Sequence, residues 1–227
     1  MNPLDYIYQA VGCKIQLLTE DCAESQYILK YIHASCKENH VHAIYKLSRP
    51  GEDTTIRSLN MDNHKLLWHG SSMSNFISIL HRGLLVAPPE IPMTGALFGE
   101  GLYTSDAFFK CQMYSYNANP SSNTRLALLC QVALGKTCEV DTVDEMEIDL
   151  TDSDYQCKRI DGSKIPNKDF DVTLPYGAVM PLGQLQNNPK KETWGSLRMP
   201  YREFIINDAS QVCLRYLVEF STITSRK

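Results

Sequence analysis

Residues 201–217, YREFIINDASQVCLRYL, decide the fold, because they contain the clearest pair of strands in the chain. Apolar residues dominate 203–206 and 211–220, and the turn-forming pair Asn207-Asp208 separates the two runs. Consecutive strands joined by so short a connection pair antiparallel. We therefore expect an antiparallel sheet that this segment closes.

Upstream of this pair, apolar periodicity predicts further strands and a few helices. The predicted strands are 41–49, 65–68, 125–132 and 136–140, and the predicted helices are 24–36, 74–83 and 106–114. Residues 141–200 are rich in Asp, Pro, Gly and Lys and predict mostly loop, with at most one hairpin. Short strands with few helices, in no regular βαβ order, indicate an α+β fold built on antiparallel sheets.

The composition limits the classes of protein to consider. The chain has 227 residues and no linker-like stretch, so one domain spanning 1–227 is expected. With a net charge of −4, a large nucleic-acid surface is not expected, because such surfaces depend on clustered Lys and Arg. No signal-peptide core or membrane-spanning apolar run is present, which argues against secretion and membrane insertion.

The eight cysteines are scattered, and none forms a CxxC pair. Several lie in apolar surroundings, such as Cys130 in LALLCQV, which favours reduced, buried thiols over a disulfide framework. The segment HASCKENHVH offers four zinc-ligand types: His33, Cys36, His40 and His42. It has only one thiol, crosses from a helix into a strand and lacks a second cluster, so we favour a surface patch over a zinc site and expect no metal.

Three segments carry chemistry when they are taken together: LLWHGS (66–71), GEGLYTSD (99–106) and YREFIINDASQVCLRYL (201–217). They resemble the poly(ADP-ribose) polymerase family, whose fold is diphtheria-toxin-like and whose signature is His-Tyr-Glu. Further similarity lies in NPLDYIY (2–8), APPEIPMTG (87–95) and QVALGK (131–136). The resemblance covers essentially the whole chain and is greatest to the DNA-damage-responsive branch.

The resemblance implies two packed, mainly antiparallel sheets and transfer of ADP-ribose from NAD⁺, with no metal. It assigns catalysis to Glu203, with His69 and Tyr103, and NAD⁺ binding to a larger set. That set is His69, Gly70, Ser71, Asn75, Tyr103, Cys111 and Tyr114. Lys110 matches a basic residue on the acceptor side of the family's site.

Each proposed role has a physical basis. An isolated WHG motif would more often contain a packed histidine, but at a strand end His69 can donate to the adenosine ribose. Gly70 would hold the nicotinamide carboxamide through its main chain, and Tyr103 and Tyr114 would stack on the cationic ring. A random Glu on a strand is more often solvated, whereas Glu203 would stabilise the positive ribose formed as nicotinamide leaves.

The chain departs from the family pattern at four positions. Leu85 stands in place of an Arg that reaches the dinucleotide, Thr104 in place of an aromatic residue, Glu100 in place of a Lys and Cys111 in place of a hydroxyl residue. We expect these changes to weaken NAD⁺ binding, by about 1–3 kcal/mol for one lost charged hydrogen bond.

Three functions remain open at this point. The first is transfer of ADP-ribose to protein acceptors. In the family, a Glu at the position of Glu203 goes with chain elongation, although some members that have it add single units. The others are a degenerate module that binds NAD⁺ or ADP-ribose without turnover, and an NAD⁺ glycohydrolase. Expected partners are protein acceptors, including the chain itself, and the growing polymer.

The resemblance also sets expectations about context. The family's closest members are nuclear and carry a regulatory helical domain and DNA-binding modules, neither of which lies within these 227 residues. We therefore expect a nuclear location, or otherwise a cytoplasmic one, and activity that does not require DNA breaks.

Overall fold

The computed structural model describes residues 2–86, 97–119, 122–141, 149–150, 153–191 and 199–222. The α-helices within these ranges are α1 (Pro3–Val11), α2 (Ala23–Ser35), α3 (Glu52–Ser58), α4 (Phe76–Arg82) and α5 (Phe108–Tyr114). The first strands are β1 (Lys14–Leu17), β2 (Asn39–Ser48), β3 (His64–Gly70), β4 (Leu102–Ser105), β5 (Thr124–Ala133) and β6 (Thr137–Glu139). The remaining strands are β7 (Cys157–Ile160), β8 (Lys164–Pro166), β9 (Asp171–Thr173), β10 (Val179–Pro181), β11 (Leu185–Asn187), β12 (Glu203–Ile206) and β13 (Val212–Thr222). The α+β fold with few helices is confirmed.

Eleven of these strands belong to one network of pairing. Its order is β1-β2-β13-β5-β3-β4-β12-β7-β6, and β10 and β9 extend from β3. Neighbouring strands are antiparallel except in the pairs β3–β10 and β6–β7. Strands β8 and β11 form a separate two-stranded sheet.

The large sheet has two sections that meet at one point. Strand β3 pairs with β5 over seven residues, but the described pairing between β3 and β4 is the single pair Trp68 and Ser105. Beyond that pair β3 continues through His69 and Gly70 without β4 alongside it. The two expected sheets are therefore two sections joined at this junction, and the strand ends around it are available for a ligand.

The core has two main parts, one on each face of the sheet. On β3, Leu67 packs into one cluster with α4, whereas Leu66 and Trp68 pack into the other with α2 and α5. This alternation follows from the two-residue period of a strand. Helix α5 is thereby held on the face toward which Trp68 points, directly beside the junction.

The strands and helices expected from periodicity are present, with boundaries that differ by a few residues. The expectation for residues 141–200 was wrong in extent, because this region contributes the five strands β7 to β11. Each has three or four residues, too few to show a period of two. The segment APPEIPMTG (87–95) lies outside the described residues.

None of the eight cysteines, all within the described ranges, forms a disulfide, and six of them are buried. The burial of these six thiols agrees with the expectation of buried cysteines. Among the helices described, none combines the length and apolar character needed to cross a membrane.

Candidate active site

A cleft of about 560 Å³ opens at the junction of the two sheet sections. Its volume lies within the range typical of small-molecule sites. Every residue assigned to the site from the sequence lines it: His69, Gly70, Ser71, Asn75, Tyr103, Lys110, Cys111, Tyr114 and Glu203. A more open groove of about 610 Å³ beside α2 contains none of them.

The strand register explains why Glu203 reaches this cleft. Trp68 on β3 pairs with Ser105 on β4, and Ser105 pairs in turn with Glu203 on β12. Residues directly opposite one another in antiparallel strands point to the same face of the sheet. Glu203 therefore points to the face that carries Trp68 and α5, as does Tyr103, which lies two residues before Ser105.

Lys110 reaches from α5 to form an ion pair with Glu203. The Glu203 side chain is only 3% exposed, and burial raises the pKa of its carboxyl group while Lys110 opposes that rise. Burial lowers the pKa of Lys110, but the hydrogen bond and charge of Glu203 raise it above the ordinary value. An ammonium group in contact favours the ionised carboxylate, the form able to stabilise a positive charge.

His69 has a defined tautomer. Its Nδ1 lies 2.9 Å from the Tyr103 carbonyl oxygen, which can only accept, so Nδ1 carries the hydrogen and donates. Burial lowers the pKa of the ring, and the bond to Tyr103 only partly opposes this shift. The ring is therefore neutral at pH 7 and Nε2 is an acceptor. The sequence-based expectation that His69 donates to a ribose changes to one in which it accepts from a ribose hydroxyl.

Gly70 lies in contact with α5. A Cβ atom at this position would stand 2.1 Å from the Cys111 carbonyl oxygen and 3.0 Å from Ser115 Oγ. The sequence argument attributed the glycine to close approach of a ligand. The structure gives a second reason, since α5 packs against β3 at a distance that no side chain permits.

The two tyrosines expected to stack on nicotinamide line the same cleft. The Tyr103 hydroxyl donates to the Gly99 carbonyl (2.6 Å) and accepts from the Phe98 amide (3.1 Å), which fixes its ring. Burial raises the pKa of Tyr103 to about 12, so its hydroxyl remains protonated. The Lys110 ammonium lies 5.2 Å from the centre of the Tyr114 ring, a cation–π distance.

Three more of the predicted residues border these groups. Asn75 donates to Ser71 Oγ at 3.0 Å just beyond the end of β3. The Cys111 thiol is buried on α5 with its sulfur 3.9 Å from Ser115 Oγ. Burial raises the pKa of Cys111 to about 12, so it faces the cleft as a neutral, weakly donating thiol.

Glu100 does not line the cleft, but the other three positions that depart from the family pattern are part of its wall. Leu85 lies at its edge and is 57% exposed. Thr104 is buried, and its hydroxyl donates to the Phe204 carbonyl at 3.2 Å. Relative to the family pattern, Leu85 thus puts an apolar side chain in place of a charge that could reach a phosphate. Thr104 puts a small residue, whose hydroxyl bonds to β12, in place of an aromatic one.

A buried ionic group that was not predicted from the sequence lies next to Glu203. Arg202 contacts Asp106 at 3.1 Å and Asp161 at 2.5 Å. Both acidic residues are remote in sequence, so their pairing with Arg202 could not be predicted. Asp106 does fall within the quoted GEGLYTSD segment, and a charge directly before the apolar run Ala107–Phe109 was the available signal.

The zinc candidate from the sequence has other contacts. The rings of His40 and His42 lie 4.7 Å apart, and His42 Nε2 is 3.0 Å from Ser221 Oγ. The Cys36 thiol donates to the Gln112 side-chain oxygen at 3.4 Å. In the described part of the chain, no three His, Cys, Asp or Glu side chains are grouped so as to hold a metal ion.

Comparison with known proteins agrees with this geometry. The poly(ADP-ribose) polymerase catalytic domain family matches residues 19–222. Poly [ADP-ribose] polymerase 2 of Arabidopsis thaliana is 32% identical over 225 residues, which covers 96% of this chain and 34% of that protein. The human poly [ADP-ribose] polymerase 2 is 32% identical over 96% of this chain and 38% of its own length.

Relatives named poly [ADP-ribose] polymerase 1 cover the same share of the chain. The Danio rerio protein is 33% identical over 225 residues, covering 96% of this chain and 21% of its own. The chain thus spans between 21% and 38% of the length of these curated relatives. Since the family match extends over most of the 227 residues and includes every residue of the predicted site, the chain belongs to the poly(ADP-ribose) polymerase catalytic-domain family.

Proposed function

We propose that this chain transfers ADP-ribose from NAD⁺ to protein acceptors and releases nicotinamide. One observation carries the proposal: the buried carboxylate of Glu203, paired with Lys110, lies in the same cleft as His69 and Tyr103. Burying a carboxylate costs free energy, so a buried carboxylate indicates a role beyond packing. Stabilising a transient positive charge during a reaction is such a role.

NAD⁺ would lie across the junction, with both ends in contact with β3 and the nicotinamide end also in contact with β4 and α5. The adenosine ribose would donate a hydroxyl to Nε2 of His69, with Ser71 and Asn75 nearby. The nicotinamide carboxamide would bond to the main chain of Gly70, and its ring would lie between Tyr103 and Tyr114. The bound Tyr103 hydroxyl and the packing of α5 on β3 make this wall rigid before the substrate arrives.

The bond that breaks joins the nicotinamide nitrogen to ribose C1′. Its electron pair leaves with nicotinamide, which becomes neutral, and positive charge develops on the ribose. The Glu203 carboxylate would accept a hydrogen bond from the ribose 2′-hydroxyl and stabilise that charge in a site with little water. The acceptor then forms the new bond to C1′ and loses a proton, for which Glu203 is the nearest base.

The test uses Glu203→Gln, which keeps the shape and removes the charge. We expect transfer of label from adenine-labelled NAD⁺ to protein to fall by about 10²- to 10³-fold, the range for losing one transition-state group. Glu219→Gln on β13 is the matched control, because Glu219 lies outside the cleft and bonds Tyr45. Equal labelling by wild type and Glu203→Gln would remove the catalytic assignment.

The same assay separates the alternatives. Binding of NAD⁺ without release of nicotinamide would indicate a degenerate binding module, which the apolar Leu85 at the cleft edge favours. Release of free ADP-ribose without protein labelling would indicate a glycohydrolase. Product length on a denaturing gel distinguishes single units from chains, and we propose chains because Glu203 is present.

The remaining expectations about context stay part of the proposal. We propose protein acceptors that include the chain itself, the growing polymer as a second acceptor, a nuclear location linked to DNA damage, and no direct binding of nucleic acid. We further propose that residues 1–227 act as one catalytic domain. Addition of nicked DNA to the transfer assay tests the absence of nucleic-acid binding and the expected activity without DNA breaks, and strong stimulation would contradict both.

A further inference from the structure

Arg202 joins three elements at the back of the cleft. Its Nη1 donates to Asp106 Oδ2 at 3.1 Å, and its Nε donates to Asp161 Oδ1 at 2.5 Å. Asp106 lies two residues before α5, Asp161 directly follows β7, and Arg202 itself directly precedes β12. The guanidinium group therefore connects the start of α5 to the strands on either side of Glu203.

The Ser105 side chain and the main chain form a second connection between the segments that begin β12 and α5. Ser105 Oγ donates to the Arg202 carbonyl at 2.6 Å and accepts from the Ala107 amide at 3.1 Å. The Lys110 amide donates to the Ala107 carbonyl at 3.1 Å in the first turn of α5. A continuous series of bonds thus runs from Arg202 to the residue that contacts Glu203.

The charges in this group depend on one another. Burial raises the pKa of Asp106 to about 6, whereas Arg202 and then Lys65 oppose the rise and Asp161 adds to it. Burial lowers the pKa of Arg202, but Asp106 and Asp161 raise it above its ordinary value. Removing Arg202 would leave Asp106 buried without its contacting cation, which is costly enough to move the chain around it.

We propose that Arg202 is a positioning residue for ADP-ribose transfer, because its guanidinium holds the start of α5 against β12 and so sets Lys110 against Glu203. The inference rests on the proposed function for its relevance to transfer. The effect of Arg202 on the contact between Lys110 and Glu203 can be measured without turnover.

The consequence appears in the titration of Glu203. The titratable groups that face its carboxyl are Lys110 from α5 and Tyr103 from β4, while its register partner on β7 is the apolar Ile160. If Arg202 positions Lys110, losing Arg202 raises the pKa of Glu203, since burial remains and the opposing cation moves away. The acid limb of the kcat profile then shifts to higher pH.

The experiment compares Arg202→Met, Lys110→Met and the double variant in the 227-residue chain. Two readouts are used, the pH profile of kcat and the titration of the Glu203 carboxyl carbon by NMR. We expect Arg202→Met to lower kcat by about 10-fold or more, since a misplacement near 1 Å can cost about 10² in rate. Both single variants should move the titration upward, and the double variant no further than Lys110→Met alone.

Two further variants keep the proposal testable if Arg202→Met does not fold. Asp106→Asn leaves Arg202 paired with Asp161 and should shift the same titration in the same direction. Arg202→Lys keeps one charged contact and should recover part of kcat. Arg215→Met is the matched control, because Arg215 is a partly buried arginine paired with Asp53 at 2.7 Å, away from the cleft. It should lower the melting temperature and leave the Glu203 titration unchanged.

The outcomes separate this inference from the proposed function. If the wild type is active and the Glu203 titration is the same in Arg202→Met, the positioning role is overturned. It is also overturned if the fold-loss of kcat in the double variant equals the product of the losses in the two single variants. An inactive wild type in which Arg202→Met still shifts the titration, as Lys110→Met does, overturns the proposed function and supports the positioning role. Loss of stability alone, with kcat and titration unchanged, makes Arg202 merely structural.

Discussion

Replacing the Cys111 thiol by a hydroxyl should strengthen the binding of nicotinamide-like ligands. Cys111 lines the cleft from α5, and its pKa of about 12 makes it a neutral thiol. A thiol is a weak donor, whereas serine donates as well as any neutral hydroxyl. Cys111→Ser therefore adds one good donor at the place where the family binds the carboxamide oxygen.

The size of the gain follows from the value of one neutral hydrogen bond. A net contribution of about 0.5–1.5 kcal/mol corresponds to about 2- to 12-fold in Kd. Two features of α5 favour the lower end. A serine in a helix can donate to the carbonyl four residues earlier, and Ser115 Oγ already lies 3.9 Å from the sulfur as a competing partner.

Calorimetry with two ligands gives a clear assay. Benzamide carries the carboxamide and should bind Cys111→Ser more tightly, whereas ADP-ribose lacks it and should bind both proteins equally. Cys157→Ser is the matched control, because Cys157 is equally buried on β7 and lies outside the cleft. Unchanged benzamide affinity in a folded Cys111→Ser variant refutes the reasoning.

Three other predictions test the rest of the site. Leu85→Arg should lower the Kd for NAD⁺ by about 5-fold, roughly 1 kcal/mol, measured by calorimetry, and unchanged affinity would show that this edge does not reach the dinucleotide. Gly70→Ala places a methyl group 2.1 Å from the Cys111 carbonyl, so we expect about 1–3 kcal/mol less stability in urea unfolding, and an unaltered midpoint would contradict the packing argument. Asp106 has a folded pKa raised by burial from 3.8 to about 6, so the stability it contributes is present below pH 4 and is lost as pH rises through 6. Asp106→Asn should abolish up to about 3 kcal/mol of this decline between pH 4 and pH 7, and parallel pH curves for the two proteins would refute it.

The long, strongly periodic elements were predictable from the sequence. Helix α2 buries residues at helical spacing, and strand β13 is a long apolar run that is buried on both faces, so the local sequence identifies both. Helix α3 could not be found in this way, because it buries the single residue Ile56. Short strands such as β8 and β11 depend on pairing with each other, which no local pattern reports.

The site likewise has features that the sequence predicts and features that only the fold shows. The identities of His69, Tyr103 and Glu203 followed from three local segments, and the structure brings all three to one cleft. The contact between Lys110 and Glu203 depends on the register of β4 and β12 and on the packing of α5. That contact joins residues far apart in the sequence, so only the folded chain shows it.

The position of the cleft has a structural cause in the junction itself. Had β3 and β4 continued to pair beyond Trp68 and Ser105, β4 would cover the edge of β3 at His69 and Gly70. The strands separate instead, and the His69 side chain spans the opening to the Tyr103 carbonyl.

Charge burial at this junction argues for function over stability. Glu203 and Arg202 are consecutive, both are almost fully buried, and each is paired with a residue of the β4–α5 segment. Replacing buried ion pairs by well-packed apolar residues is often neutral or stabilising, so stability alone does not account for two of them side by side. The first pair places a carboxylate where positive charge would form, and the second holds the helix that supplies its cation. The two pairs would therefore act together to keep Glu203 charged and in place.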